Sequence, residues 1–287
     1  MRRIAVIGPN GQLGSALSRH LGDSAIRFEH DVLDITVPTR VASALDAARP
    51  DIVINTAAYN WVDKAEDEPL AAYELNALGP RNLALACRER HVVLVHISTD
   101  YVFGLDADRT TPYRETDCPG PISGYAVSKL AGEQFVLGLC PRSFLVRTCG
   151  LYGHSVSVGK GNFVKTMLRL GGERTEVAVV DDQWCTPSSA RDVAAAIVAL
   201  IATEQFGLFH VTNSGSTTWA RLAAEVFSSA GMPTRVKPIT TTEFNAKAPR
   251  PAYSVLDCGK LANVTGLSLP TWQEAVGDYV RELRRSS

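Results

Sequence analysis

The stretch RIAVIGPNGQLG, Arg3 to Gly14, decides the fold. An apolar run over residues 3–7 passes directly into three glycines spaced GxxGxxG, and Leu13, Ala16, Leu17 and Leu21 then recur at helical spacing. Glycine lets a chain turn tightly, approach a pyrophosphate and pack a helix close to a strand, while open amides at the helix start meet negative charge. A lone glycine pattern says little, but here the strand before it and the helix after it supply the context. Gly8, Gly11 and Gly14 are therefore expected to cradle a dinucleotide.

Working outward, residues 51–55, 92–97 and 144–147 are near-continuous apolar runs. Such runs mark parallel strands covered on both faces. Residues 77–90 read as a helix with Leu78, Leu83, Ala86 and Cys87 inward. Strand–helix alternation implies right-handed crossovers and an α/β fold, a doubly wound parallel Rossmann sheet. Past residue 150 the rhythm changes. A Gly-rich segment at 159–162 precedes a helix around 163–170 and a strand near 177–180. A helix from about 187 to 202 and a strand at 208–212 suggest a return to the sheet. Helices at 219–230 and 272–284, joined by Pro-rich connections, suggest a smaller, interleaved α/β lobe that covers a ligand; Trp272, Val276 and Tyr279 form a core-facing stripe within it. The expected division is residues 1–148 and about 178–212 for the dinucleotide-binding domain, and about 149–177 and 213–287 for the substrate lobe.

Bulk properties exclude several classes. Among 287 residues, 29 are basic and 30 acidic, a net charge of −1 spread without blocks. That leaves no electrostatic footprint for nucleic acid or an anionic membrane. Gly8 and Pro9 end the amino-terminal apolar run too early for a signal peptide, and the apolar stretch at 193–202 is half the ~20 residues a membrane helix needs. Six cysteines are scattered, without a CxxC pair or metal-ligand spacing to the six histidines. Reduced, buried thiols in a cytoplasmic protein are the expectation.

The fourth strand ends in Ser98-Thr99-Asp100, at the carboxyl edge where an open α/β sheet places its ligand. Tyr125 and Lys129 follow, four apart on a helix, so phenol and ammonium project together. A phenol of pKa ~10 is a poor proton donor–acceptor at neutral pH unless a nearby cation stabilises its anion. Thr99 and Tyr125 are expected to bond a substrate carbonyl oxygen, with Tyr125 giving the proton as a nicotinamide gives a hydride. NADPH or NADH is the implied cofactor. Glu29, near the end of the second strand, could bond ribose hydroxyls and repel a 2′-phosphate, or be a solvated surface acid. Asp34 and Ile35 could hold an adenine, or Asp34 could cap a helix. His96 reads as a satisfied core histidine. Arg250 and Gln183 are candidates for diphosphate and sugar contacts, with Lys160 and Asn162 along the same cleft; each could equally be a surface residue.

Taken in order, these motifs resemble the dTDP-4-dehydrorhamnose reductase family of extended short-chain dehydrogenases. The likeness runs through GQLG (11–14), LDIT (33–36), INTAAYNWVDKAE (54–66), STDYVF (98–103) and YAVSKLAGE (125–133). It continues through NFVKTMLRL (162–170), DDQWCTP (181–187), FHVTNSGSTTW (209–219) and RPAYSVLD (250–257). The resemblance implies diphosphate contacts from Gly11, Gln12 and Leu13, and an adenine beside Asp34 and Ile35. It places Ala57, Ala58, Tyr59, Asn60 and Asn76 along the cofactor. Thr99, Tyr125 and Lys129 match the family's catalytic positions and Asp100 a substrate contact. The implied substrate is a nucleotide-activated 4-keto-6-deoxysugar, and a homodimer is the implied assembly. Related 4,6-dehydratases carry an Asp-Glu pair after the threonine; here Tyr101 stands in place of the second acid. A non-catalytic dinucleotide-binding regulatory subunit and an epimerase of the same fold are the alternatives.

Three departures mark the sugar pocket. Gly150 stands where the family usually has tryptophan, which removes an apolar wall; Asn60 and Trp61 replace smaller residues; Cys185 replaces a commoner glycine. Ala16 stands where some bacterial members place a glutamate that helps bind magnesium.

Overall fold

The computed structural model describes residues 2–154 and 161–286; Lys160 lies outside them. Six strands form one sheet: β1 (Ile4–Ile7), β2 (Ala25–Phe28), β3 (Ile52–Asn55), β4 (Val93–Thr99), β5 (Ser143–Thr148) and the strand Gly207–His210. Their spatial order is Gly207–His210, β5, β4, β3, β1, β2, and every pairing is parallel.

The apolar runs are continuous because successive side chains enter different cores. Ile4 and Val6 join Leu17, Ile54, Val95, Val146, Val193 and Ile197 on one face. Ala5 and Ile7 join Leu33, Leu45, Val53, Leu83, Leu94 and Leu145 on the other. Each fully buried Val, Leu or Ile stabilises by about 1.5–3 kcal/mol, so both faces contribute heavily. Helix α1 (Gln12–Leu21) and the helix Ala190–Ile201 pack together on the first face. The helices α2 (Pro38–Ala48), α3 (Pro69–Tyr73), α4 (Gly79–Glu89) and α5 (Gly124–Leu139) form the second layer.

Two boundaries differ from expectation. A π-helical turn, Glu74–Leu78, links α3 to α4, so the helical path begins at Pro69 rather than at residue 77. The helix expected from 187 begins at Ala190, where the Ser189 side chain accepts the Asp192 amide.

A second core gathers Tyr152, Val164, Val177, Val179, Val226 and Phe227 with Trp272, Val276 and Tyr279. The strand Glu176–Val180 pairs in parallel with Arg235–Ile239 here, apart from the six-stranded sheet. Residues 178–180, expected with the dinucleotide-binding segment, thus pair with the later part of the chain. The return to the sheet is made by the Ala190–Ile201 helix and the Gly207–His210 strand. All six cysteines are free thiols, and Cys118 is exposed rather than buried as expected. Among the described residues no helix is long and apolar enough to cross a membrane.

Gly14 sets how closely α1 approaches β1. A Cβ there would lie 2.1 Å from the Gly8 carbonyl oxygen, so any side chain must push the helix outward. We expect Gly14→Ala to lower unfolding free energy by about 1–3 kcal/mol, as overpacking does. Urea denaturation of the two proteins measures it.

Candidate active site

The carboxyl ends of β1, β3, β4 and β5 open onto a cleft of about 460 Å³. Gly11, Gln12, Leu13 and Gly14 form one wall. Gly11 is the N-cap of α1, and no side chain caps it. The first amides of the helix are therefore available to an anion. Gly8 lies beneath this wall at φ +77, and its carbonyl accepts the Gly11 amide at 3.1 Å. This cradle fits the diphosphate of a dinucleotide.

The segment after β3 supplies Thr56, Ala58 and Asn60 to the cleft. Asn76 holds that segment from behind: its side chain accepts the Tyr59 amide (2.8 Å) and donates to the Tyr59 carbonyl (3.0 Å) and to Ser128 Oγ (3.0 Å). The Tyr59 phenol turns away to donate to Glu68, and burial with that carboxylate pushes its pKa up to about 12. Ala57, Tyr59 and Asn76 thus shape the wall without lining it.

At the floor stand Thr99, Tyr125 and Lys129. Thr99 ends β4, where its Oγ accepts the Tyr101 amide at 3.2 Å. Helix α5 begins at Gly124 because Ser123 caps the Ala126 amide and Glu66 accepts the Gly124 amide at 2.7 Å. That start puts Tyr125 in the first turn and Lys129 one turn on. The Tyr125 phenol shares this floor with the Thr99 hydroxyl; burial pushes its pKa well above the ordinary tyrosine value, and Thr99 opposes the shift. Lys129 Nζ donates to the Ile97 carbonyl at 2.7 Å. Burial pushes the Lys129 ammonium down to about 8, against the opposing pull of Glu133.

Asp100 lies under this floor, turned into the junction with the second core. It accepts from Thr99 Oγ at 3.1 Å and from Ser254 Oγ at 2.6 Å, and burial raises its pKa. The three groups that the sequence predicts to converge do converge.

The opposite wall comes from the second lobe. Gly150 sits at φ +51, and a Cβ there would lie 3.3 Å from the Trp219 indole and 3.2 Å from Pro187. The indole also packs on Phe163, 5.0 Å between ring centroids. An aromatic wall is therefore present beside Gly150, and Trp219 supplies it. Asn162 caps the helix Phe163–Glu173 through the Lys165 amide and donates to Gln12 Oε1 (3.3 Å), the Gly153 carbonyl and the Tyr279 hydroxyl. It ties the glycine wall to the second lobe.

Other expected residues lie elsewhere. Glu29 is exposed past β2. Asp34 accepts the Thr36 amide and hydroxyl, which hold its carboxyl below the usual range, and Ile35 is buried against Gly79. Gln183 is buried and donates to Thr241. Arg250 is forked onto Asp63 at 3.1 and 2.9 Å and donates to the Ala248 carbonyl at 2.8 Å. His96 is half as expected: Nδ1 faces the Asn55 amide at 3.2 Å, while Nε2 is buried without a hydrogen-bond partner. Sequence reasoning placed Ser98 at the ligand edge without a role and missed Thr56 and Thr148, which a search of the other strand ends would find. It also missed Phe163 and Trp219, which no local pattern marks.

With this geometry in view, the likeness to known proteins is specific. The family model described as the RmlD substrate binding domain matches residues 1–285. The chain belongs to the RmlD substrate-binding-domain family. The dTDP-4-dehydrorhamnose reductase of Streptomyces griseus is 43% identical over 265 residues, covering 89% of this chain and 85% of that one. A probable dTDP-4,6-dihydroxy-2-methyloxan-3-one 4-ketoreductase of Streptomyces antibioticus is 42% identical over 281 residues, covering 96% and 93%. The solved dTDP-4-dehydrorhamnose reductase of Bacillus anthracis, in complex with NADP, superposes with a TM-score of 0.93 at 42% identity, covering 98% and 99%. This RmlD-family chain thus shares the reductases' doubly wound α/β fold over nearly its whole length.

The buried ammonium of this family member should be measurable. In the ligand-free protein we expect Lys129 to titrate at about 8, below the 10.5 of an ordinary lysine. An NMR titration of the labelled side-chain Cε reads it, and a value near 10.5 contradicts the burial seen here.

Proposed function

We propose that this chain catalyses NAD(P)H-dependent reduction of the 4-keto group of a (d)TDP-4-keto-6-deoxyhexose, a step of deoxysugar biosynthesis. One observation carries the reading: the Thr99 hydroxyl, the Tyr125 phenol and the Lys129 ammonium share one cleft with the uncapped start of α1. The full-length likeness to 4-ketoreductases of nucleotide sugars supports it.

When bound, the reduced nicotinamide supplies a hydride to the carbonyl carbon. Thr99 and Tyr125 bond the carbonyl oxygen and polarise it, and Tyr125 delivers the proton as negative charge develops there. Burial alone would make the phenol hold its proton too tightly, so the neighbouring ammonium is needed to stabilise the tyrosinate left behind. The helix start and Gln12 take the diphosphate of the cofactor. Trp219 and Phe163 offer flat apolar surface to the sugar, across from Asn60.

The NADP complex of the Bacillus anthracis relative weighs for NADPH, and exposed Glu29 at the end of β2 weighs for NADH. A homodimer belongs to the same proposal: Leu70, Tyr73 and Val127 leave apolar surface exposed on the adjoining helices α3 and α5.

Incubation with dTDP-4-keto-6-deoxysugars and either reduced nicotinamide, with product identification, tests the activity. Tight cofactor binding without oxidation would favour a non-catalytic module, and turnover without net reductant consumption an epimerase. We expect Tyr125→Phe to lower kcat at least about a hundredfold with circular dichroism unchanged; a near-normal rate would remove Tyr125 from its role.

A further inference from the structure

Behind the floor of the cleft lies a buried ion pair that the proposed chemistry does not use directly. Glu133 stands one helical turn past Lys129 on α5, fully buried, and Arg147 on β5 is almost as buried. Arg147 Nε and Nη2 donate to the two Glu133 oxygens at 2.9 and 2.6 Å, a two-pronged contact. Ser98 Oγ donates to the same carboxylate at 2.5 Å. A single carboxylate therefore joins α5, β4 and β5 at the level of the site. Its contacts fall one residue from Thr99 on β4 and one turn from Lys129 on α5. Ser98 is in register with Arg147, and Thr99 with Thr148.

A buried ion pair is a poor way to stabilise a core, because desolvation offsets most of the attraction and well-packed apolar side chains do as well or better. Here even the pairing is incomplete, since Arg147 Nη1 has no hydrogen-bond partner. The guanidinium is otherwise seated over the Phe103 ring, 5.0 Å from its centre. The placement of the pair explains its presence better than its contribution to stability does.

We propose that Glu133, held by Arg147 and Ser98, is a positioning residue that seats Thr99 and keeps Lys129 an ammonium beside Tyr125. The proposal rests on the reductase reading of the Thr99–Tyr125–Lys129 site. The groups facing Lys129 from each packed element are few. Tyr125 and Glu133 lie on its own helix, His96 and the Ile97 carbonyl on β4, Asp100 just beyond β4, and Arg147 on β5 behind Glu133. His96 is held neutral by its burial and by Lys129 itself, and burial favours the neutral form of Asp100. Glu133 is thus the carboxylate that supports the Lys129 charge, and it also neutralises Arg147, which would otherwise repel that charge. The sign follows. Without Glu133 the ammonium is lost at lower pH, and the alkaline limb of the rate profile moves down.

Two measurements on Glu133→Gln test this. Followed by NMR without turnover, Lys129 should titrate at least about one pH unit lower than in the parent protein. In steady-state kinetics kcat at neutral pH should fall at least about tenfold, with its alkaline limb moved down, while KM for the sugar nucleotide changes less than about threefold. A folded variant with an unmoved Lys129 titration and parental kcat overturns the proposal. Should Glu133→Gln not fold, the double variant Glu133→Gln with Arg147→Met removes both charges. It should fold and remain at least about tenfold slow, because Lys129 has lost the carboxylate one turn away and Ser98 keeps only a neutral amide oxygen as acceptor, and parental kcat in it overturns the proposal equally. Were the parent protein inactive on every 4-keto sugar, the reductase reading would fail, and the NMR titration would still decide the role of Glu133.

Discussion

All six strands of the sheet run the same way, and the site depends on that constraint. Parallel strands need a crossover between each pair, so every helix on either face returns the chain to the same starting edge. Every carboxyl end then faces one direction, together with the amino terminus of α1. The strand interiors are closed to chemistry, since alternate side chains are buried on both faces. Polar side chains reach the cleft where a strand runs out, as Thr56, Ser98, Thr99 and Thr148 do. The cleft is the common end of the sheet.

The polar groups under that edge are costly. His96, Asp100, Lys129, Glu133 and Arg147 are all buried. Each has a partner on another element, yet His96 Nε2 and Arg147 Nη1 have none. A buried donor or acceptor left unsatisfied costs about 1–3 kcal/mol. The two apolar layers flanking the sheet offset this, so the site borrows stability from a core that takes no part in its chemistry. Fold stability and site chemistry meet at α5, which presents Val136 to the core and Tyr125 and Lys129 to the cleft.

The second lobe completes the pocket by contributing Trp219, Phe163 and Asn162 across from the glycine wall. Part of its attachment runs through the segment after β3. Asp63 takes both prongs of Arg250 and the Ala248 amide, and Asp67 pairs with Lys247. The same segment receives the start of α5 through Glu66 and lines the cleft with Asn60. A change in this short segment would therefore reach the lobe junction, helix α5 and the pocket together.

The strand runs, the glycine turn and the Tyr125–Lys129 spacing were legible in the sequence, because each is set by neighbours a few residues apart. Periodicity, turn conformation and helical facing are local properties, and a chain of this pattern has few ways to satisfy its backbone hydrogen bonds. The assignment of Arg250 to Asp63, the pairing of Glu176–Val180 with Arg235–Ile239, and Trp219 standing across from Gly150 were not legible. Nor was the joining of Glu133 to Arg147 and Ser98. These contacts close between residues far apart along the chain, where many partners are sterically open to each group. Only the packed arrangement of the two lobes leaves one of them within hydrogen-bond reach.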